Sequence, residues 1–189
     1  LHNYVDLKRY RYVHTLIGTT KDQRRHVLQF GWPEERVTVI PNFSRVFPVA
    51  AARTPECRPL RFFACGRFVY KKGFDVLLHA FKELLDCRVD AFLTIGGSGE
   101  EASGLQALVA ELDIVEKVRF SGWLEDVSDA LDEADVFVLP SRDEPFGIVL
   151  LEAMARGVPI VTTRTKGPEH VLSDRSAYFA EIDSVGTLA

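Results

Sequence analysis

Cysteine is scarce: Cys57, Cys65 and Cys87 are the only three in the chain, and no two of them form a CxxC pair. An odd number without that spacing points to neither a disulfide framework nor a zinc site, and a reducing cytoplasm suits it. Also missing is any apolar run approaching the ~20 residues that a membrane span requires. The opening LHNYVDLKRYRYVHTLIGTT lacks the layout of a signal peptide and does not begin with Met. It reads like the middle of a longer protein, so a fragment is expected. A strong excess of basic charge is absent too. The formal net charge is −4, which gives no reason to expect a nucleic-acid partner. There is no internal repeat and no low-complexity tract.

What remains is an ordinary globular composition, 47% hydrophobic and 26% charged over 189 residues, enough to bury a sizeable core. Basic residues gather early, at Lys8, Arg9, Arg11, Lys21, Arg24 and Arg25. They form either a solvated face or a contact for an anionic membrane surface or acidic acceptor.

After residue 60, short aliphatic and aromatic runs alternate with helical patterns. The runs at 61–65, 91–95, 118–121, 136–139 and 159–162 predict buried parallel strands, with another near 178–180. Between them, Phe74, Leu77, Leu78, Phe81, Leu84 and Leu85 keep the three-and-four spacing of one helix face. A second helix carries Leu105, Leu108, Val109 and Leu112, and a third Val127, Ala130, Leu131 and Ala134. This order predicts right-handed crossovers and an α/β fold, a Rossmann-like, doubly wound parallel sheet. Upstream, Thr19 or Thr20 caps a helix that runs to about Phe30 and ends at Gly31, and a strand follows at 37–40. Pro41, Pro48, Pro55 and Pro59 then punctuate a stretch without period. Three parts are expected: residues 1–44, too short to be an independent domain, a linker at 45–58, and the main domain at 59–189.

In an open parallel sheet, ligands bind beyond the carboxyl ends of the strands. Three loops there carry unusual residues. In CGRFVYKKGF, Gly66 makes the turn, and Arg67 and Lys72 precede a helix. A guanidinium fork and an ammonium near helix-start amides suit a diphosphate, though two solvated cations would read the same. In IGGSGEEA, Gly96, Gly97 and Gly99 permit close backbone approach, with Glu100 and Glu101 expected in the first turn of the next helix. A turn that only reverses the chain is the alternative. In EPFGIVLLE, Pro145 disfavours helix at Glu144, so a helix is expected to begin at 146–148. Its apolar residues lie all round, which predicts burial. Glu152 inside it would be costly to ionise, by about several kcal/mol, unless partnered. One partner is Arg156, a turn later. The other is a ligand: eight helical residues rise ~12 Å, comparable to the reach from a sugar across a diphosphate to a ribose. Glu144 and Glu152 then hold the two ends of a nucleotide sugar, with the amides of Gly147, Ile148 and Val149 facing the phosphates between them.

EPFGIVLLE, followed by AMARGVPIVTT and GPEHVL, resembles the signature of retaining glycosyltransferases of family 4, which have the GT-B fold. GRFVYKKG is similar to that family's diphosphate loop, VIPN at 39–42 to the segment joining its two domains, and RFSGWLEDVSDAL to the stretch that shapes its nucleobase pocket, with Gly122, Trp123 and Leu124 at the turn. The resemblance spans residues 15–180 and implies the C-terminal, donor-binding half of a GT-B enzyme with a short remnant of the N-terminal domain. It implies a hexosyl donor carried on UDP or GDP, needing no metal and no cofactor. Arg67, Lys72 and Glu144 are the implied catalytic residues. Gly66, Gly97, Ser98, Leu124, Phe146, Gly147, Ile148, Val149 and Glu152 are the implied donor contacts. The acceptor, a glycan or a lipid-linked one, belongs to the absent N-terminal domain, so the fragment is expected to bind nucleotide without transferring sugar. A cytoplasmic enzyme, in contact with the inner face of the membrane in its full-length form, is the implied setting. Lys166 departs from the glycine or small residue usual in the family, and none of the five histidines matches its catalytic one. The alternatives are a GT-B nucleotide-sugar epimerase and a nonenzymatic module that kept the fold.

Overall fold

The computed structural model describes residues 12–44 and 58–189. Lys8, Arg9, Arg11, Cys57 and all but the last residue of the expected linker lie outside the described residues. The chain divides into two compact units, Leu1–Phe43 and Ser44–Ala189.

In the first unit, β1 (Leu16–Gly18) and β2 (Val37–Val39) pair in parallel around α1 (Lys21–Gln29). Thr20 caps the helix, its hydroxyl accepting the Gln23 amide at 3.1 Å, as a β-region threonine before a helix does. Gly31, with φ of +80°, turns the chain away after the helix ends.

The second unit holds six strands: β3 (Leu60–Cys65), β4 (Ala91–Gly96), β5 (Val118–Gly122), β6 (Val136–Leu139), β7 (Ile160–Thr163) and β8 (Tyr178–Ala180). Between them run α2 (Phe74–Asp86), α3 (Ala102–Glu111), α4 (Ser128–Glu133), α5 (Ile148–Ala155) and α6 (Lys166–Val171), with α7 (Val185–Leu188) after β8. All pairings are parallel, in the order β5-β4-β3-β6-β7-β8. The order reverses between β3 and β6. In an open α/β sheet such a reversal is where a ligand is expected, beyond the carboxyl ends of the strands.

Strand period builds the two cores. On β3, Phe62 and Ala64 face α2 and α3, while Phe63 and Cys65 face the other side. On β6, Val136 and Val138 join the first set, and Phe137 and Leu139 the second. The α2 residues Phe74, Leu77, Leu78 and Phe81 are buried, and His79 is exposed, as the spacing requires. Leu131, Leu150 and Ala153 close the opposite face.

Two expectations need correction. Glu100 and Glu101 precede α3 instead of opening it, because the Glu101 amide donates to the Phe68 carbonyl at 3.0 Å and the helix starts only at Ala102. The α5 helix is not buried all round. Leu150 and Ala153 are buried against the sheet, whereas Ile148 and Met154 remain 45% and 44% exposed, since the sheet covers only one side. GPEHV lies within α6. Among the described residues, no helix is long and apolar enough to cross a membrane.

Phe63 is 1% exposed and packs on the Phe137 ring at 5.9 Å, while Phe92 on the neighbouring strand is 43% exposed. Phe63→Ala is expected to cost about 3–5 kcal/mol in urea unfolding and Phe92→Ala about 1 kcal/mol or less. Equal losses would contradict the assignment of the core.

Candidate functional site

The crevice is built by loops that touch one another. A Cβ on Gly73, where φ is +66°, would sit 2.1 Å from the Pro140 carbonyl oxygen, so only glycine lets the β3–α2 and β6–α5 loops meet. A Cβ on Gly167 would lie 2.4 Å from the Glu144 carbonyl oxygen, to which the Gly167 amide donates at 2.9 Å. The α6 start thus fixes the backbone of Glu144.

Across the first junction stands an ion pair. Lys72, at the end of the 3₁₀ turn Tyr70–Lys72, donates through Nζ to Glu144 Oε2 at 2.5 Å. Both side chains are largely buried, 16% and 10% exposed. Glu144 Oε1 accepts the Phe146 amide at 3.4 Å. Sequence reasoning gave the lysine and the glutamate separate tasks. Their pairing, 72 positions apart in sequence, left no local signal.

Arg142 is the residue that sequence reasoning missed. Its guanidinium takes Asp75 in a fork, at 2.8 and 2.7 Å, donates to the Tyr70 carbonyl at 2.7 Å and to Asp183 at 2.5 Å, and lies 4.0 Å over the Tyr70 ring. Its own amide and that of Asp143 both donate to the Lys71 carbonyl. It therefore ties the loop carrying Glu144 to the turn carrying Lys72 and to the first turn of α2. Hydrogen bonds, first to Asp75 and then to Asp183, push its pKa further above an already high value. For Asp75 the largest single influence, burial, pushes upward. The hydrogen bonds and charge of Arg142, with the amides of Asp75 and Val76, outweigh it and hold the carboxyl below the usual aspartate range.

At the start of α5, Gly147 adopts φ of +82° and the chain turns into the helix. The amides of Gly147, Ile148 and Val149 have no hydrogen-bond partner among the described residues, as the first turn of a helix leaves them. Phe146 is buried beside the His170 ring, at 6.2 Å between centroids. Glu152, one turn into α5, does not pair with Arg156. The Arg156 guanidinium binds Asp132 of α4 instead, and Glu152 Oε1 accepts the Ser44 hydroxyl at 3.1 Å. Cys65, at the end of β3, senses both sides of the crevice. Burial first, then the charge of Glu152, push its thiol up to about 12, while Lys72 pulls the other way.

The remaining predicted residues lie along the ends of β3, β4 and β5. The Gly66 amide donates to the Gly96 carbonyl at 2.9 Å, and the Gly97 amide to the Gly122 carbonyl at 2.6 Å. The Ser98 carbonyl already accepts the Phe68 amide at 2.7 Å. Leu124 is half-buried, with a methyl 2.8 Å from where a Gly96 Cβ would be. Arg67 is exposed and makes no ion pair or hydrogen bond with another described side chain, so no direct contact joins it to Lys72 or Glu144. Among the described residues, no group of three His, Cys, Asp or Glu is placed to hold a metal ion.

A family model described as glycosyl transferases group 1 matches residues 54–189. The chain is 36% identical over 173 residues to the lipopolysaccharide core biosynthesis glycosyltransferase LpsE of Rhizobium meliloti, covering 89% of this chain and 49% of that protein. It is 34% identical to mannosylfructose-phosphate synthase of Agrobacterium fabrum, over 91% of this chain and 42% of that one. The chain thus spans about half the length of these relatives or less. Among solved structures, HepE of Anabaena in complex with UDP-glucose superposes with a TM-score of 0.81 at 21% identity, covering 95% of this chain and 53% of that one. TarM of S. aureus gives 0.81 at 18% identity, over 96% and 36%. These likenesses show the fold, which is that of the C-terminal domain of GT-B glycosyltransferases.

Arg142→Ala is expected to lower stability at neutral pH by about 1–3 kcal/mol, since it leaves Asp75 and the Tyr70 carbonyl without their donor. Because the folded pKa of Asp75 is depressed, its contribution is complete above the unfolded value, about 3.9, and is lost as pH falls through the lower folded value. The difference in urea midpoint between parent and variant should therefore shrink in acid. A difference that does not change with pH would show that the Asp75 contact contributes nothing.

Proposed function

Because the chain belongs to the group 1 glycosyl transferases, we propose that it is the donor-binding part of a retaining, metal-independent hexosyltransferase of family 4. The whole protein transfers a hexose from UDP- or GDP-sugar to a glycan or lipid-linked acceptor held by a further domain. The observation that carries this reading is the contact between Lys72 and Glu144 beside the open N-terminus of α5, where the strand order reverses. A cation, a carboxylate and three amides without a partner among the described residues meet where an α/β sheet takes a ligand. That the relatives include a lipopolysaccharide core glycosyltransferase, and that a structural neighbour holds UDP-glucose, supports it.

In this reading the diphosphate lies over the α5 amides, held by Arg67 and Lys72. An ammonium has three donors, so Lys72 keeps Glu144 with one N–H and turns another to a phosphate oxygen. Glu144 has lone pairs left for hydroxyls of the transferred sugar. Glu152 accepts the ribose hydroxyls, and the backbone around Gly97, Ser98 and Leu124 borders the base. As the glycosidic bond to phosphate breaks, negative charge grows on the leaving diphosphate. The two cations and the helix dipole stabilise it, a task that a metal ion performs in other enzymes. On the retaining, front-face route the departing phosphate accepts the acceptor's proton. This chain supplies the nucleotide-binding side of that reaction.

Calorimetric titration with UDP and with GDP tests the reading. One of the two is expected to bind equally well with and without EDTA, and Lys72→Ala to weaken it by about 10-fold or more, the worth of a charge-assisted hydrogen bond. Failure of both nucleotides to bind, or binding abolished by EDTA, would sink it.

A further inference from the structure

Glu152 holds a charge that its neighbours leave open. The residue four positions on, Arg156, is its natural helical partner but is taken by Asp132. No cation pairs with Glu152 among the described residues, and its one donor there is the Ser44 hydroxyl, 3.1 Å from Oε1. Ser44 stands 108 positions away in sequence, directly after the VIPNF segment at 39–43. The Glu152 charge acts on the Cys65 thiol at the end of β3, the same group on which Lys72 acts in the opposite sense.

We propose that Ser44 is a positioning residue of the donor site, fixing the Glu152 carboxylate so that it meets the ribose diol with its free lone pairs. The inference rests on the reading of Glu152 as the ribose carboxylate. An ionised carboxylate offers about four lone-pair sites, and Ser44 occupies one of them, on Oε1. Oε2 stays open to one hydroxyl, and the remaining site on Oε1 to its neighbour. With its one O–H donating to Glu152, the serine oxygen also keeps lone pairs for a ribose O–H. A glutamate with three rotatable bonds and no cation to hold it would otherwise have to be ordered by the ligand itself, which weakens binding. Ser44 supplies that order before the nucleotide arrives.

The test compares affinities of the full chain for the diphosphate that binds, UDP or GDP, and for its 2′,3′-dideoxy counterpart. The parent should prefer the natural nucleotide. Ser44→Ala should reduce that preference by about 3- to 10-fold, the net worth of one ordinary hydrogen bond, with Tm and affinity for the dideoxy compound unchanged. Ser44→Thr, which keeps the hydroxyl, should restore it. An unchanged preference in Ser44→Ala, or tighter binding of the natural nucleotide, overturns the role of Ser44. Glu152→Gln separates the two levels. If it abolishes the preference while Ser44→Ala does not, only the inference about Ser44 falls. If Glu152→Gln also leaves the preference intact, the ribose reading falls with it.

Discussion

The pairing of Lys72 with Glu144 is the joint on which the crevice depends. Each charge would be expensive to bury alone, and removing one partner from such a pair leaves the other uncompensated. The two residues come from loops that leave different strands, so the pair exists only if both backbones are held to close tolerance. Glycines at 73 and 167 allow the approach, and the Arg142 network keeps it from opening. Arg142 reaches no candidate donor position itself. Its work is to make one object of the Lys72 turn, the Glu144 loop and the first turn of α2.

Seen this way, the site is a balance of charge prepared before any ligand enters. Lys72 is paired with Glu144, Arg67 is exposed, and the first amides of α5 have no partner among the described residues. Two carboxylates stand at either end of the apolar first turns of α5. An ammonium has three donors, so Lys72 can hold Glu144 through one N–H and still offer others to a further acceptor. Glu152 is arranged differently, with a neutral hydroxyl in place of a cation, which leaves its full charge available.

Much of the architecture was legible because it is periodic. Alternation in Phe62, Phe63, Ala64 and Cys65 separates two cores, and the three-and-four spacing of Phe74, Leu77, Leu78 and Phe81 gives α2 its buried face. The site's residue types and their loops were legible too, since glycines, cations and a proline-broken helix start are local features. What could not be read is what depends on distant strands meeting. Lys72 with Glu144, Arg142 with Asp75 and Asp183, and Ser44 with Glu152 are each separated by dozens of positions. The exposure of Ile148 and Met154 escaped for a related reason: an apolar helix reads as buried on every side, and only the sheet's position shows which side it covers. Arg156 was a plausible partner for Glu152 by spacing, but Asp132 on the adjacent α4 outcompetes it.

The claim that the two glutamates of α5 and its entry loop hold opposite ends of one activated sugar is tested most directly by a crystal structure with the bound nucleoside diphosphate. The account predicts the phosphates over the amides of Gly147, Ile148 and Val149, within reach of Lys72 and Arg67, and the ribose hydroxyls on Glu152. A nucleotide seated elsewhere, or one whose ribose leaves Glu152 bound only to protein groups, would contradict it.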